Sequence, residues 1–281
     1  MNLYTMKGRQ TVVKLITTVV FALLAVLAVV PFIWMFSASF KLPADLFKYP
    51  IEWIPKKWYL GNYQEVWFGK YPFFLYYWNS IKITSITVIG VLVTSSLAGF
   101  AFAKLRFKGR EAMFLLYLAT MIIPAQILLV PRFVLFDKLG IINTHWAVIL
   151  PGMFSVLGTF MMRQFFSTLP NEILEAARVD GAGFWRQFWQ ITLPLTKPAL
   201  VTLLILTFTW HWNEYENPLI FLRDNKLYTI PLGLTNYVDE NSTNYTLIMA
   251  ASVSALLPLI AIVAVFQKWF IEGIASSAVK G

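Results

Sequence analysis

Long apolar runs alternate with short polar segments along this 281-residue chain. A helix needs about 20 predominantly apolar residues to cross about 30 Å of hydrocarbon. Charge-free runs of this order, the fifth lengthened from Pro198 back to Ile191, predict six membrane spans. They lie at about 15–40, 83–103, 112–131, 139–162, 191–213 and 241–267. The pattern therefore predicts an all-α polytopic membrane protein in which residues 1–281 form a single transmembrane domain.

The first run also has features of a secretory signal peptide. Lys7, Arg9 and Lys14 precede it, and Ser37-Ala38-Ser39 is similar to a cleavage site. A signal peptide, however, has an apolar core of about 7–15 residues, and this run is longer. We interpret it as a retained helix.

Five prolines lie within or at the ends of the predicted spans: Pro31, Pro124, Pro131, Pro151 and Pro258. Proline removes a backbone N–H and its ring clashes with the preceding helical turn. Each position therefore predicts a kink or a hinge, and we interpret them first as packing kinks.

The composition supports the membrane class and narrows the chemistry. Hydrophobic residues make up 58% of the chain and charged residues 13%, with a mean hydropathy of +0.64. A soluble domain has about 45–50% apolar and about 25% charged residues, so a soluble enzyme and a disordered chain are both disfavoured. There is no Cys, and the only two His are His145 and His211. We therefore expect no catalytic residue and no metal site.

Positive charges are distributed unevenly between the loops. With the N-terminus inside, the segments 1–14, 104–111, 163–197 and 268–281 carry 13 of the 23 Lys and Arg but only 5 of the 14 Asp and Glu. Lys and Arg are enriched in cytoplasmic loops. Both termini are thus predicted to be cytoplasmic. The net charge of +9 would suggest nucleic acid in a soluble protein, but here it indicates topology.

An outside loop is predicted at 41–82, and it is rich in Trp, Tyr and Pro. Trp and Tyr favour the membrane–water interface because one end of the side chain is apolar and the other polar. Two interpretations stay open: a loop lying on the outer membrane surface, or a docking surface for an external partner.

The longest cytoplasmic segment, 163–197, is predicted to fold as a helix–turn–helix. Pro170 suits the first position of a helix, where its missing N–H costs nothing. Gly181 and Gly183 supply a turn, since glycine tolerates positive φ. The first helix would present a small face made by Ala176 and Ala177.

The second short helix of this segment is rich in aromatic residues. Residues four apart are neighbours on a helix, so Phe184 lies beside Phe188, and Trp185 beside Trp189. Exposed apolar patches often mark a partner site, and an amphipathic helix can dock in a groove. A hairpin lying on the inner membrane surface is the alternative.

The spacing in this segment resembles a known signature. Three residues separate Glu175-Ala176-Ala177 from Gly181, and nine more precede Ile191-Thr192-Leu193-Pro194. The pattern matches the EAA motif of permease subunits of bacterial binding-protein-dependent ABC importers. The chain is similar to their sugar-importer branch, in particular to the second, smaller permease of maltose-type systems. Further residues typical of that branch are Ser39-Phe40-Lys41, Asn62-Tyr63, Asn79-Ser80, the run Phe100 to Arg110, Met121 to Pro124, Trp212-Asn213 and Ala278 to Gly281.

The resemblance implies that the helix carrying the motif is a coupling helix, held in a cleft of a cytoplasmic ATPase subunit. Ala176 and Ala177 would allow close approach, Glu175 would make a polar or ion-pair contact, and Gly181 would permit the turn. The residues expected at this contact are Glu175, Ala176, Ala177, Arg178, Asp180, Gly181, Ile191, Leu193 and Pro194. The chain has no G-x-x-x-x-G-K-[ST] phosphate loop, so ATP and Mg would be bound by the partner and no cofactor by this chain.

The resemblance also implies partners and a place in the cell. The chain would pair with a second homologous permease, two ATPase subunits and an external sugar-binding protein in a bacterial or archaeal cytoplasmic membrane. It would form half of a pathway that imports a sugar, with an oligosaccharide as the first choice, by alternating access. A non-sugar solute such as glycerol phosphate is the alternative.

One segment has the side chains that suit sugar binding. Aromatic faces and planar hydrogen-bonding groups match sugar rings, and the candidates near the outer end of span five are Trp210, Trp212, Asn213, Glu214 and Asn217. Thr207, Thr209, Asn79 and Ser80 are weaker candidates for the pathway. An interfacial aromatic belt is the alternative, and in maltose-type relatives the other permease supplies most of the membrane sugar site.

Two other classes of protein compete with an ABC permease. An intramembrane enzyme needs a catalytic set within the spans, yet the charge-free runs contain no Asp or Glu and the two His are far apart in sequence. A secondary transporter or channel would leave the EAA spacing unexplained, and intramembrane carboxylates for ion coupling are not evident. We expect a non-catalytic transport subunit.

Overall fold

The computed structural model describes residues 3–238 and 244–278, and the side chains within 11–238 and 244–271. Helices dominate these residues, which confirms the all-α class. In chain order they are α1 (Leu3–Ser39), α2 (Gly61–Phe68), α3 (Phe73–Lys104), α4 (Arg110–Ala119), α5 (Leu129–Lys138), α6 (Trp146–Gly152), α7 (Val156–Thr168), α8 (Asn171–Val179), α9 (Phe184–Arg186), α10 (Leu193–Leu195), α11 (Lys197–Trp212), α12 (Glu216–Phe221), α13 (Ile230–Gly233) and α14 (Tyr245–Ala278). A π-helical stretch, Gln187–Thr192, joins α9 to α10.

Four stretches are long and apolar enough to cross a membrane: Thr11–Ser39, Phe73–Lys104, Trp146–Thr168 and Tyr245–Ile271. Two helix pairs qualify only across a bend, Arg110–Ile122 with Ala125–Lys138 and Phe184–Leu195 with Lys197–Trp212. The count reaches six if each bent pair is one span, so the number six stays a prediction. The cytoplasmic placement of the termini also stays a prediction, and residues 1, 2 and 279–281 lie outside the described residues.

Both bends interrupt spans that the sequence predicted to be continuous. The first pair meets at 90° around Pro124. Ile123 is extended, with ψ 115°, as expected for a residue that precedes proline. The second pair meets at 77°, so the helix expected to run from Ile191 to Asn213 is divided at Thr196. By contrast, α1 and α14 continue through Pro31 and Pro258.

Helix α3 begins at Phe73, ten residues before the predicted start of span two. Its added turns are buried at Asn79 and Ser80. Asn79 Nδ2 donates to the carbonyl oxygens of Lys226 (2.8 Å) and Tyr228 (3.0 Å), and Ser80 Oγ accepts from the N–H of Ile230 (2.8 Å). Both side chains, considered above as pathway candidates, therefore hold the backbone of the segment before α13.

The described residues form two compact units. One contains those up to Tyr71 together with Asn236–Ser254, and the other contains Pro72–Thr235 and those from Ala255 onward. In the first unit, Asn62 Nδ2 donates to the carbonyl oxygens of Ser39 (2.9 Å) and Lys41 (2.8 Å). The amide thus fixes the chain where it leaves α1.

In the second unit, α3 packs chiefly against α7 and α11. Gly99 permits a close approach of α3 to α7, since a Cβ there would lie 2.7 Å from Met162 Cβ. The apolar cluster at this junction, here called the junction cluster, comprises Val91, Phe100, Met162, Phe166, Leu174, Phe188, Ala199 and Leu203. It joins three long helices to α8 and to the π-helical stretch.

Candidate functional site

Helix α8 carries the EAA residues and has one buried face. Leu174 and Ala177 are 7% and 8% exposed, and Leu174 belongs to the junction cluster. Glu175, Ala176 and Arg178 are exposed. Of the two alanines expected to face a partner, only Ala176 is therefore available, while Ala177 packs within this chain.

The turn after α8 ends the helix in a defined geometry. Gly181 has φ +79°, a conformation that disfavours a Cβ. Its N–H donates to the carbonyl of Arg178 (3.0 Å), and the N–H of Ala182 donates to the carbonyl of Ala177 (2.8 Å). These two bonds form a Schellman motif. Asp180, the residue before the turn, is exposed.

Of the four aromatic residues after the turn, Phe188 is buried, whereas Phe184, Trp185 and Trp189 are exposed. Phe188 is 1% exposed, and its ring centroid lies 5.3 Å from that of Phe100; the Phe184 centroid lies 5.5 Å from Phe100. Trp185 and Trp189 are 61% and 49% exposed. The patch predicted on the surface is therefore formed by the two tryptophans and part of Phe184, whereas Phe188 belongs to the core.

The closing residues of the motif lie at the bend. Ile191 and Leu193 are half-buried and Pro194 is exposed. In the adjoining π-helical stretch, Gln187 Nε2 donates to the carbonyl of Ala182 (2.7 Å), and Thr192 Oγ1 donates to the carbonyl of Gln187 (2.8 Å). These bonds connect the turn after α8 to the helical segment that leads into α11.

A lysine ties α3 to the start of α8. Lys104 Nζ donates to the carbonyl of Leu169 (2.6 Å) and to Asn171 Oδ1 (2.8 Å). Leu169 and Asn171 flank Pro170, which precedes the helix rather than occupying its first position. The last turn of a long helix is thus bonded directly to the segment that begins α8.

A cavity of about 510 Å³ lies beside α11; we call it the α11 cavity. Of the predicted substrate residues, Trp210, Glu214 and Asn217 line it, as does the weaker candidate Thr207. Trp212 does not line the cavity: it is 3% exposed, and its indole N–H donates to the carbonyl of Ala255. Its ring stacks on Phe208, with 5.4 Å between the ring centroids. Asn213 is exposed and donates to the carbonyl of Thr209 (2.8 Å).

Sequence reasoning missed three polar residues of the α11 cavity: Arg132, Ser155 and His211. Arg132 Nη1 donates to Asn217 Oδ1 (3.2 Å), and the N–H of Asn217 donates to Glu214 Oε1 (3.2 Å). Arg132 lies 85 positions before Asn217 in the chain. Only the bend around Pro124, which redirects α5, could have suggested that they meet.

Within the described residues, no group of three or more His, Asp and Glu side chains is arranged to hold a metal ion. The polar residues of the α11 cavity are instead suited to hydrogen bonding with a solute. The exposed residues of α8 are suited to contact with another protein.

Comparison with known proteins gives a family for this arrangement. Residues 90–276 match a family described as the binding-protein-dependent transport system inner membrane component. The arabinooligosaccharides transport system permease protein AraQ of Halalkalibacterium halodurans is 36% identical over 266 residues, 94% of this chain and 95% of that protein. The sn-glycerol-3-phosphate transport system permease protein UgpE of Brucella abortus (strain 2308) is 31% identical over 277 residues, 96% of this chain and 98% of that protein.

A solved structure has the same fold. One chain of a bacterial ABC transporter involved in the import of the acidic polysaccharide alginate matches with a TM-score of 0.83 and 25% identity, covering 93% of this chain and 98% of that chain. Helical spans joined to an exposed EAA segment define a multi-pass membrane component of a transport system. The chain belongs to the family of binding-protein-dependent transport system inner membrane components, and it is a permease subunit of an ABC importer that works with a binding protein. The family resemblance drawn from the sequence is confirmed.

Proposed function

We propose that this permease imports an oligosaccharide and that α8 couples it to a cytoplasmic ATPase. The observation that carries the coupling is the division of α8: Leu174 lies in the junction cluster, while Glu175, Ala176 and Arg178 are exposed. A partner holding the exposed face moves a helix whose other face is packed against α3, α7 and α11. Asp180, Gly181, Ile191, Leu193 and Pro194 complete the proposed contact surface.

In this proposal the ATPase subunits bind ATP and Mg, and closure of the two subunits moves the coupling helices. A second permease completes the pathway, and an external binding protein delivers the solute in a bacterial or archaeal cytoplasmic membrane. Each partner shifts one equilibrium between inward-open and outward-open states by binding one state better. This chain contributes the docked helix, and the ATPase subunits hydrolyse ATP.

The coupling is tested by reversing the charge of Glu175. We expect Glu175→Lys to lower both co-purification of the ATPase subunits and solute-stimulated ATP hydrolysis in proteoliposomes. Glu216→Lys, which reverses an exposed carboxylate on α12, is the matched control and should leave both unchanged. Normal assembly and normal stimulated hydrolysis in the Glu175 variant would contradict the proposal.

The substrate class is supported by AraQ, whose name states arabinooligosaccharides, in H. halodurans and, at 33% identity, in Bacillus subtilis. The UgpE relatives favour the second candidate, glycerol phosphate. Uptake by proteoliposomes containing the whole transporter and its binding protein distinguishes the two. We expect uptake of arabinotriose, maltotriose or raffinose. Uptake of glycerol 3-phosphate and of none of these sugars would replace the first candidate with the second.

A further inference from the structure

The α11 cavity has the size and the mixed lining of a small-molecule site. Ligand pockets measure about 300–1,000 Å³ and combine apolar walls with a few polar groups, and this cavity measures about 510 Å³. Val91, Leu157 and Leu203 contribute apolar walls. Trp210, which is 73% exposed, offers an aromatic face on which the C–H face of a sugar ring can pack.

The polar groups of the cavity retain hydrogen-bonding capacity. A guanidinium has five N–H donors, and Arg132 uses one of them on Asn217 Oδ1. Among the described residues, neither the His211 ring nor Thr207 Oγ1 has a hydrogen-bond partner, and both line the cavity. Together they present donors and acceptors, which a sugar hydroxyl, itself both donor and acceptor, can use.

The charges of the cavity are balanced but not paired with each other. Arg132 and Glu214 both line the cavity, and each is hydrogen-bonded to Asn217. No ion pair within 4.0 Å joins either one to another described side chain. The remaining guanidinium donors and the remaining carboxylate oxygen of Glu214 therefore stay available on one wall with a formal charge of zero.

This balance discriminates between solute classes. A phosphate ester carries about −1.5 to −2 charges at pH 7 and would meet Glu214 as well as Arg132. A uronate would meet the same carboxylate. Like-charge contact in a partly dry site disfavours the wrong ligand, whereas an uncharged sugar accepts from Arg132 and donates to Glu214.

We propose that the α11 cavity is a subsite in this chain for a ring of an uncharged sugar, and that its balanced charge selects against phosphate esters and uronates. The proposal rests on the sugar import proposed above. It adds the residues that contact the solute, Arg132, Thr207, Trp210, His211, Glu214 and Asn217, and it separates arabino-type substrates from the anionic solutes of other relatives.

Protection of single cysteines tests the site directly, because the chain has no native Cys. Thr207→Cys and Leu206→Cys place a thiol on the cavity wall, and Leu219→Cys places one on an exposed position of α12 outside the lining. Alkylation of this chain is followed by mass spectrometry in the whole transporter, with its binding protein, in nanodiscs. The solutes are arabinotriose, maltotriose, raffinose, trigalacturonate and glycerol 3-phosphate, and stimulated ATP hydrolysis is measured in parallel.

We expect the neutral sugar that stimulates hydrolysis to slow the alkylation of T207C or L206C at least about threefold. The same sugar should not change the alkylation rate of L219C, and the anionic solutes should not change the rate of any of the three variants. If that sugar stimulates hydrolysis and protects neither cavity variant, the subsite is refuted while sugar import stands. If only glycerol 3-phosphate stimulates hydrolysis, or no solute in the panel does, sugar import fails and the subsite fails with it.

A charge variant tests the selectivity separately. Glu214→Gln replaces the charged acceptor with a neutral amide and gives the wall a net positive charge. We therefore expect the concentration of sugar for half-maximal stimulation to rise about tenfold, as for the weakening of a charged hydrogen bond to a neutral one. Trigalacturonate, which the native cavity is proposed to disfavour, should protect T207C in this background. Glu216→Gln should change neither quantity. An unchanged response to sugar and to uronate in the Glu214 variant contradicts the proposed selectivity.

Discussion

Gly181 and Gly183 are two residues apart, and neither has a neighbouring atom within 4 Å of a Cβ placed on it. Only their backbones differ: Gly181 has φ +79°, whereas Gly183 has φ −68°. Comparing alanine at the two positions therefore isolates the effect of backbone strain, because steric crowding is absent at both.

We expect Gly181→Ala to destabilise the end of α8 by about 1–2 kcal/mol, because a Cβ strains the left-handed conformation. Gly183→Ala should leave stability within about 0.5 kcal/mol, since its φ suits any residue. The thermal midpoint of the purified transporter in detergent measures both. Equal midpoints for the two variants would contradict the role assigned to the turn.

The adjacent alanines of the motif give a second residue-level prediction. Ala177→Leu overfills a buried position and should cost about 1–3 kcal/mol, lowering the thermal midpoint. Ala176→Leu should leave the midpoint unchanged and reduce ATPase co-purification, because Ala176 is exposed. Swapped phenotypes, with the midpoint falling only for A176L, would overturn the assignment of the two faces.

At this scale the sequence predicted chemistry better than position. The type and spacing of Glu175 and Gly181 indicated the family, because a linear motif depends on local neighbours. The sequence did not distinguish Trp210, which lies on the cavity wall, from Trp212, which lies in the core. Two positions along a helix rotate a side chain by about 200°, and the packing of distant helices decides which side is buried.

At the scale of secondary-structure elements, the main feature is how α8 is attached to the helices around it. Lys104 bonds its N-terminal approach to α3, and Leu174 packs in the junction cluster. The helix is therefore held by a polar contact at one end and by apolar packing along one face.

We expect Lys104→Met to loosen the start of α8 by about 1–2 kcal/mol, near the lower range for charged hydrogen bonds because Asn171 is exposed. Hydrogen exchange of the amides around 171–176 in the assembled transporter should accelerate. Lys108→Met, at an exposed position, serves as the control. Unaltered exchange in K104M would show that apolar packing alone holds the helix.

Element boundaries were the least predictable part of the fold. Hydropathy placed all the long apolar stretches, but α3 starts ten residues early because Asn79 and Ser80 are satisfied by the backbone near α13. Hydropathy alone assigns polar residues to loops even when they lie within a helix. Similarly, α1 continues through Pro31 whereas the chain bends around Pro124, and proline alone does not distinguish these outcomes.

At the scale of the whole molecule, the charge distribution predicts orientation. Lys108 lies in the loop predicted to be cytoplasmic, and Lys226 lies in the loop predicted to be outside; both are exposed. In the cysteine-free chain, we expect a membrane-impermeant maleimide to label Lys226→Cys in intact cells and Lys108→Cys only after permeabilisation. The opposite labelling would invert the topology and place α8 on the outer side.

The division of α8 has a consequence for engineering. Its nine residues lie in two different surroundings. Leu174 and Ala177 are buried within their own chain, whereas Glu175 and Ala176 belong to the exposed face proposed above to contact an ATPase subunit. A graft of the whole helix from a relative would therefore import an unsuitable inner surface. Under the proposed coupling, a transplant limited to the outward positions would transfer the choice of ATPase subunit and leave the packing of the host helices intact.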